Sequence, residues 1–296
     1  MNLYRHIRDK QSLEREYSPS SCVSDFRAVL DAYAARSEWA RAQLGNCVEH
    51  HYGPSAAEVL DFFAAPSSSL AGRCEAARPV VVYIHGGYWQ ELSKKEHSFP
   101  ATALNARGIS YAALNYGLAP EATLDQMVDR CRRAILWIAL QSAALAIDPL
   151  AIHVVGCSAG AHLAAMTALA DWRRSRFDRC PVRSLILLSG VFDLRPLPLT
   201  YINDAVRLTA EDTLRNSPLL LVDAAAVDVP PALIAFGEHE TAEFKRQSAE
   251  FAEALTRKGG SARLHEIRAR NHFDLVFDLA DDSTELGALA LRHLNG

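Results

Sequence analysis

The stretch Ile152-His153-Val154-Val155-Gly156-Cys157-Ser158-Ala159-Gly160-Ala161-His162-Leu163 decides the fold. An apolar run is followed by a Gly-x-Ser-x-Gly pentapeptide and then by a helix-prone segment. A sharp turn between a strand and a helix strains the backbone of the serine, and small neighbours let the two elements pack closely. The pentapeptide alone is common and also suits a helix N-cap. In this context it predicts that Ser158 is a nucleophile.

Apolar β-branched runs recur along the chain and do not alternate with polar residues. They lie at residues 80–84, 109–114, 151–155, 184–188 and 231–236. Such runs are typical of strands buried on both faces. Helical stripes lie between most of them, one carrying Leu124, Met127 and Cys131 and another carrying Phe244 and Phe251. The alternation predicts an α/β fold with a doubly wound, mostly parallel sheet and helices on both faces.

The first part of the chain has a different hydrophobic pattern. Residues 26–33 carry apolar side chains at helical spacing, with Ser24 or Asp25 available as the N-cap and Gly45 as the stop. We expect an N-terminal helical segment, about residues 1–46, that packs near the site entrance. Two short strand-like runs at 47–52 and 58–64 suit an antiparallel hairpin, and 66–73 is a polar loop. We expect one domain, residues 1–296.

The charge balance argues against polymeric partners. The chain has 31 Lys and Arg against 35 Asp and Glu, a net charge of −4, with no basic run. We therefore expect a small-molecule substrate, no nucleic acid and no membrane. The longest apolar tract, residues 134–147, is broken by polar residues and falls short of the roughly 20 residues that span a bilayer. The sequence leaves the oligomeric state open, a homodimer included.

Cysteine and histidine usage suggests no metal or disulfide framework. The six cysteines at 22, 47, 74, 131, 157 and 180 show no regular spacing. Residues 1–10 contain no continuous hydrophobic stretch, so we do not expect export. We expect free thiols in a reducing cytoplasm. His50 and His51 are adjacent, so in a strand their side chains would point to opposite faces and could not bind one ion. No cofactor is expected.

A loop after the first buried run offers donors for an oxyanion hole. The N–H of Ala159 follows the nucleophile at the head of a helix, where developing negative charge is stabilised. His85-Gly86-Gly87-Tyr88-Trp89 follows the run at 80–84. Gly87, together with Gly86 or Tyr88, is expected to supply the second donor. For His85 we prefer a role in bracing the loop over a role in contacting substrate.

The general base is expected to be a histidine late in the chain. His239 lies in the turn that should carry the acid, His265 lies within a strand-like run, and His293 lies on a surface helix near the C-terminus. His272 comes in the loop after the last predicted strand. We therefore assign the base to His272.

The acid should leave the strand at 231–236, in Gly237-Glu238-His239-Glu240. The fourth position of this turn should lie beside the histidine loop, which favours Glu240 over Glu238. Asp193 is the rival position, and Asp274 is too near His272 in sequence to orient it easily. The carboxylate would hold the imidazole tautomer and stabilise the imidazolium.

With these residues in place, the chain closely resembles the arylformamidase, or kynurenine formamidase, family of α/β hydrolases, which is related to hormone-sensitive-lipase-type esterases. The matching segments are YSPS at 17–20, HGGYWQ at 85–90, TLDQMVD at 123–129, SAGAHLAAM at 158–166, SGVFDL at 189–194, RNSP at 215–218 and NHFD at 271–274. The His-Gly-Gly-x-Trp form is the specific element. Two positions depart from the family: Cys157 replaces a histidine, and Glu240 replaces an aspartate.

The resemblance implies hydrolysis of an aryl formamide such as N-formylkynurenine, a step of tryptophan breakdown, through a Ser158–His272–Glu240 triad and an acyl-enzyme. Tyr88 and Trp89 would wall the aryl pocket, although Trp89 could equally belong to the core. Cys157 is expected to point away from the site. A carboxylesterase acting on small aryl or acyl esters is the alternative, and a non-catalytic binding module is the alternative from another class.

Overall fold

The computed structural model describes residues 2–66, 77–174, 180–225, 229–279 and 281–296. The polar loop expected at 66–73 falls, beyond its first residue, outside the described residues, as does Cys74. Strands in the described part are β1 (Cys47–His51), β2 (Val59–Phe63), β3 (Arg78–Ile84), β4 (Ser110–Leu114), β5 (Ile147–Cys157), β6 (Val182–Leu188), β7 (Ala232–His239) and β8 (Ala262–Asn271). They form one sheet in the order β1-β2-β4-β3-β5-β6-β7-β8.

The sheet is mostly parallel, as predicted. β1 and β2 form the expected antiparallel hairpin, and β2 pairs antiparallel with β4. From β4 to β8 all neighbours are parallel. β7 and β8 run further than the sequence suggested, because their pairing resumes at His239 and Asn271 after a register shift at Gly237. This extension carries both strands toward the site.

Helices cover both faces of the sheet. They are α1 (Lys10–Glu16), α2 (Phe26–Leu44), α3 (Pro100–Asn105), α4 (Leu124–Leu140), α5 (Ala159–Leu169), α6 (Asn203–Val206), α7 (Ala210–Arg215), α8 (Pro218–Leu221), α9 (Ala242–Arg257) and α10 (Glu285–Leu294). Val80 and Val82 of β3 join a core with α4, α5 and α9, while Val81 and Tyr83 join a second core with α2, α3 and α10. Both faces of β3 are therefore buried, which explains its unbroken apolar run.

The N-terminal segment is attached to the rest of the fold by polar contacts. Of the two N-cap candidates for α2, Asp25 accepts from the Ala28 N–H at 3.0 Å, and Gly45 ends the helix in a left-handed conformation. Tyr17, which ends α1, donates to Glu243 on α9 at 2.8 Å. None of the described helices combines the length and hydropathy that a bilayer span requires.

Candidate active site

Ser158 occupies a strained turn between β5 and α5. Its φ is 55° and ψ is −120°. Ser158 occupies the N-cap position of α5, but its side chain makes no capping hydrogen bond to that helix. The close packing that forces this turn is visible at Gly160, where an added Cβ would lie 1.9 Å from the carbonyl oxygen of Ile84. At Gly156 it would lie 2.2 Å from the carbonyl oxygen of Gly160. Gly156 thus lets β5 and α5 approach closely, and Gly160 lets α5 pack against the end of β3, which projects Ser158 from the sheet.

Ser158 and His272 both line one cavity of about 230 Å³. Residues from the loop after β3 and from the N-terminal segment complete its wall. The lining comprises Pro19, Ser20, Phe26, Leu30, Tyr33, Gly86, Gly87, Tyr88, Gln90, Glu91, Leu92, His97, Cys157, Ser158, Tyr201, Ile202, His272 and Phe273. The side chains of the wall are largely apolar or aromatic, and the described lining contains no Lys or Arg.

Glu240 contacts the imidazole of His272. Its Oε2 lies 3.0 Å from His272 Nδ1, and both side chains are buried. Glu240 Oε1 accepts from the hydroxyl of Ser189 at 2.6 Å and from the Gly237 N–H at 2.7 Å. With both carboxylate oxygens engaged, the Glu240 side chain is fixed, and it in turn fixes the ring of His272.

The competing carboxylates are occupied elsewhere. Asp193 accepts from the Tyr4 hydroxyl at 2.7 Å and from Arg195. Asp274 accepts from the backbone N–H and side chain of Asn271 at 2.7 and 2.8 Å. Glu238 is exposed and accepts from a backbone N–H of β8. Among the described carboxylates, Glu240 alone is hydrogen-bonded to His272.

The expected contact between Ser158 and His272 is not among the hydrogen bonds of the described residues. Within the described residues, neither Ser158 Oγ nor His272 Nε2 has a hydrogen-bond partner, although both line the cavity. In hydrolases without substrate this hydrogen bond is often long and tightens only in the complex.

Backbone donors border the nucleophile. Across the described chain, the N–H groups of Gly86, Gly87, Tyr88 and Ala159 have no acceptor. The loop after β3 packs closely against the turn that carries Ser158, because a Cβ added at Gly86 would lie 3.2 Å from Ser158 Cβ. Gly87 has a φ of 98°, a conformation that side chains disfavour. These donors are available for a developing oxyanion.

His85 is the first residue of the loop after β3. Its Nδ1 lies 2.8 Å from the carbonyl oxygen of Gly86, and its ring stacks on Tyr116 at 4.4 Å. Burial lowers the pKa of His85 to about 3, so the ring is neutral. It does not line the cavity, and its contacts are those of a loop brace.

The structure supports one of the two alternatives left open for Trp89 and corrects two other expectations. Trp89 is fully buried, packs edge-on against His162 at 5.1 Å and is not part of the cavity lining, so it belongs to the core. Cys157 does line the cavity and does not point away from it. Burial raises the pKa of its thiol to about 12. His293, expected on the surface, is buried with its Nε2 3.0 Å from the Leu185 carbonyl oxygen.

Tyr88 and Tyr33 join the site to the N-terminal segment. Tyr88 lines the cavity as expected, and its hydroxyl donates to the carbonyl oxygen of Tyr17 at 2.6 Å. Tyr33, from α2, also lines the cavity and donates to the carbonyl oxygen of Phe273. The residue after His272 is thereby tied to α2.

Sequence reasoning gave no role to Ser189, His97 or Tyr33. Ser189 had a usable signal, because it directly follows the run at 184–188, and the carboxyl ends of neighbouring parallel strands meet at one edge of a sheet. No such signal in the sequence pointed to His97 or Tyr33. Their approach to the cavity depends on how α2 packs against the turn Lys94–His97.

Comparisons with known proteins agree with this architecture. A family described as having the alpha/beta hydrolase fold matches residues 81–275. Kynurenine formamidase of Danio rerio is 34% identical over 295 residues, 96% of each chain, and that of Drosophila melanogaster is 28% identical, over 93% of this chain and 95% of the relative. Carboxylesterase NlhH of Mycobacterium tuberculosis is 29% identical, over 72% of this chain and 73% of the relative.

Among solved structures, an esterase of Pyrobaculum calidifontis superposes with a TM-score of 0.69 at 20% identity, covering 97% of each chain. At that identity the likeness concerns the fold alone.

Proposed function

This chain belongs to the kynurenine formamidase (arylformamidase) family of α/β hydrolases, and on that premise we propose that it hydrolyses an aryl formamide, with N-formylkynurenine as the model substrate. The products would be an arylamine and formate. The observation that carries the proposal is the 3.0 Å contact between Glu240 and His272, whose imidazole shares a cavity with Ser158. Glutamate serves as the third member of such triads in other hydrolases.

In the first half-reaction, the hydroxyl oxygen of Ser158 attacks the formyl carbon while His272 Nε2 takes the hydroxyl proton. The new imidazolium is held by Glu240 through the Nδ1–H. Negative charge moves to the formyl oxygen, where the N–H groups of Ala159 and Gly87 would donate to it. These donors need no reorganisation, because they have no other acceptor in the described part of the chain.

The tetrahedral intermediate then breaks at its C–N bond. His272 returns its proton to the nitrogen, the arylamine leaves, and a formyl ester remains on Ser158. Water attacks this ester with His272 again as the base, the C–O bond to the serine breaks, and formate is released. An arylamine is a better leaving group than an alkylamine, because its lone pair delocalises into the ring. A site of esterase type can therefore cleave this amide.

A carboxylesterase is the second candidate, supported by the 29% identity to a carboxylesterase that covers 72% of this chain. Formate release from N-formylkynurenine, measured beside hydrolysis of p-nitrophenyl acetate, separates the two. We expect turnover of the formamide and its loss in Ser158→Ala, with the fold retained. Efficient ester turnover without formamide turnover would overturn the formamidase proposal. No turnover of either compound would favour a binding module.

A further inference from the structure

His97 presents a ring nitrogen at the cavity wall that has no partner among the described residues. It lies at the end of a 3₁₀ turn, Lys94–His97, and is 2% exposed. Its Nδ1 lies 3.0 Å from the carbonyl oxygen of Ser93, which can only accept, so Nδ1 carries the hydrogen. Nε2 then bears a lone pair, and it has no partner among the described residues. Since His97 lines the cavity, Nε2 is the atom available to a bound molecule.

The ring is held in place and kept neutral. It stacks on Tyr83 with centroids 5.2 Å apart and on His85 at 5.8 Å. Tyr33 packs on it at 5.2 Å. Burial lowers the pKa of His97 to about 4, so near neutral pH the ring has no charge. Nε2 is therefore a fixed hydrogen-bond acceptor.

Contacts through Tyr33 connect His97 to the residue that follows His272. Tyr33 touches His97 and also donates to the carbonyl oxygen of Phe273, the residue that follows His272. His272 must face the leaving nitrogen in order to protonate it. The leaving group would thus lie between His272 and the wall that Tyr33 and His97 form.

We propose that His97 Nε2 accepts a hydrogen bond from the N–H of the scissile formamide and so selects formamides over esters. This inference rests on the proposed function. An aryl ester has an oxygen at the same position, which offers no hydrogen and turns a lone pair toward Nε2. The N–H becomes a stronger donor as the nitrogen is protonated, so the contact strengthens toward the transition state. His97 then acts as a specificity-determining residue for the amine.

The test compares formanilide with phenyl formate, which differ only in N–H against O. In His97→Phe the ring still fills the stack but loses the acceptor. We expect kcat/KM for formanilide to fall about tenfold, the size expected for one hydrogen bond, while kcat/KM for phenyl formate stays within about twofold. His97→Gln, which carries an amide oxygen, should recover part of the loss. His50→Phe, on β1 and away from the cavity lining, is the matched control.

The outcomes separate the two proposals. A wild-type enzyme that turns over phenyl formate but not formanilide overturns the proposed function. In the other case the wild-type enzyme cleaves formanilide, and His97→Phe lowers kcat/KM equally for both substrates or for neither. That result overturns the role of His97 alone. If His97→Phe does not fold, wild-type kcat/KM for N-methylformanilide, which lacks the N–H, gives the same decision. A kcat/KM for N-methylformanilide equal to that for formanilide would overturn the inference. A kcat/KM lower by about tenfold or more would support it.

Discussion

Removing the hydroxyl of Ser189 should slow catalysis without changing substrate binding. Its Oγ donates to Glu240 Oε1 at 2.6 Å in a buried setting. A hydrogen bond to a charged group contributes about 1.5–3 kcal/mol to stability. Its loss from the transition state alone would correspond to about 10- to 150-fold in rate, which sets the upper limit of the effect. The Gly237 N–H still holds the same oxygen at 2.7 Å in Ser189→Ala, so we expect the lower end, about tenfold in kcat.

Steady-state kinetics on N-formylkynurenine or p-nitrophenyl acetate measures this effect. KM should not change, because Ser189 is outside the cavity lining. Ser248→Ala is the matched control, since Ser248 is fully buried on α9 and its hydroxyl has no partner in the described part of the chain. A kcat for Ser189→Ala within about twofold of wild type, or a loss shared by Ser248→Ala, would refute the reasoning about Glu240.

Three further predictions concern Glu240, Gly160 and the cysteines. Glu240→Gln should lower kcat by about 10³-fold or more with little change in thermal unfolding, because the amide no longer stabilises the imidazolium; kcat near that of wild type would count against Glu240. Gly160→Ala should lower the free energy of unfolding by about 3 kcal/mol, since the Cβ would lie 1.9 Å from the Ile84 carbonyl oxygen; denaturant titration checks this, and unchanged stability would contradict it. Iodoacetamide at pH 8 should alkylate exposed Cys22 well before Cys157, because burial raises the pKa of the Cys157 thiol to about 12. Peptide mapping measures the order, and earlier alkylation of Cys157 would contradict the prediction.

Much of the fold could be predicted because the relevant signals are local. The strand, the small residues and the helix around Ser158 are contiguous, so the turn that strains its backbone was visible in twelve residues. Unbroken apolar runs indicated parallel strands because both faces of β3, for example, are buried. Glu240 and His272 followed from their positions after β7 and β8, which are neighbours in the sheet. Their 3.0 Å contact agrees with that placement.

What was missed depends on side-chain direction and on packing between distant segments. Tyr88 and Trp89 are adjacent in one loop, and the sequence left open whether Trp89 lines the pocket or belongs to the core. Both have positive φ, at 46° and 61°, and this turn sends Tyr88 to the cavity and Trp89 into the core. Cys157 is the last residue of β5 and lies in the same buried cluster as Tyr33, on the face that α2 covers. No local pattern encodes that covering.

The most direct test of the central claim is to trap the acyl-enzyme. N-formylkynurenine labelled at the formyl carbon, mixed with enzyme, quenched in acid within the first turnover and digested, should leave label on the peptide that contains Ser158. His272→Ala should not accumulate this label. Formate produced at the wild-type rate with no label on Ser158, or with label on another residue, would contradict the account.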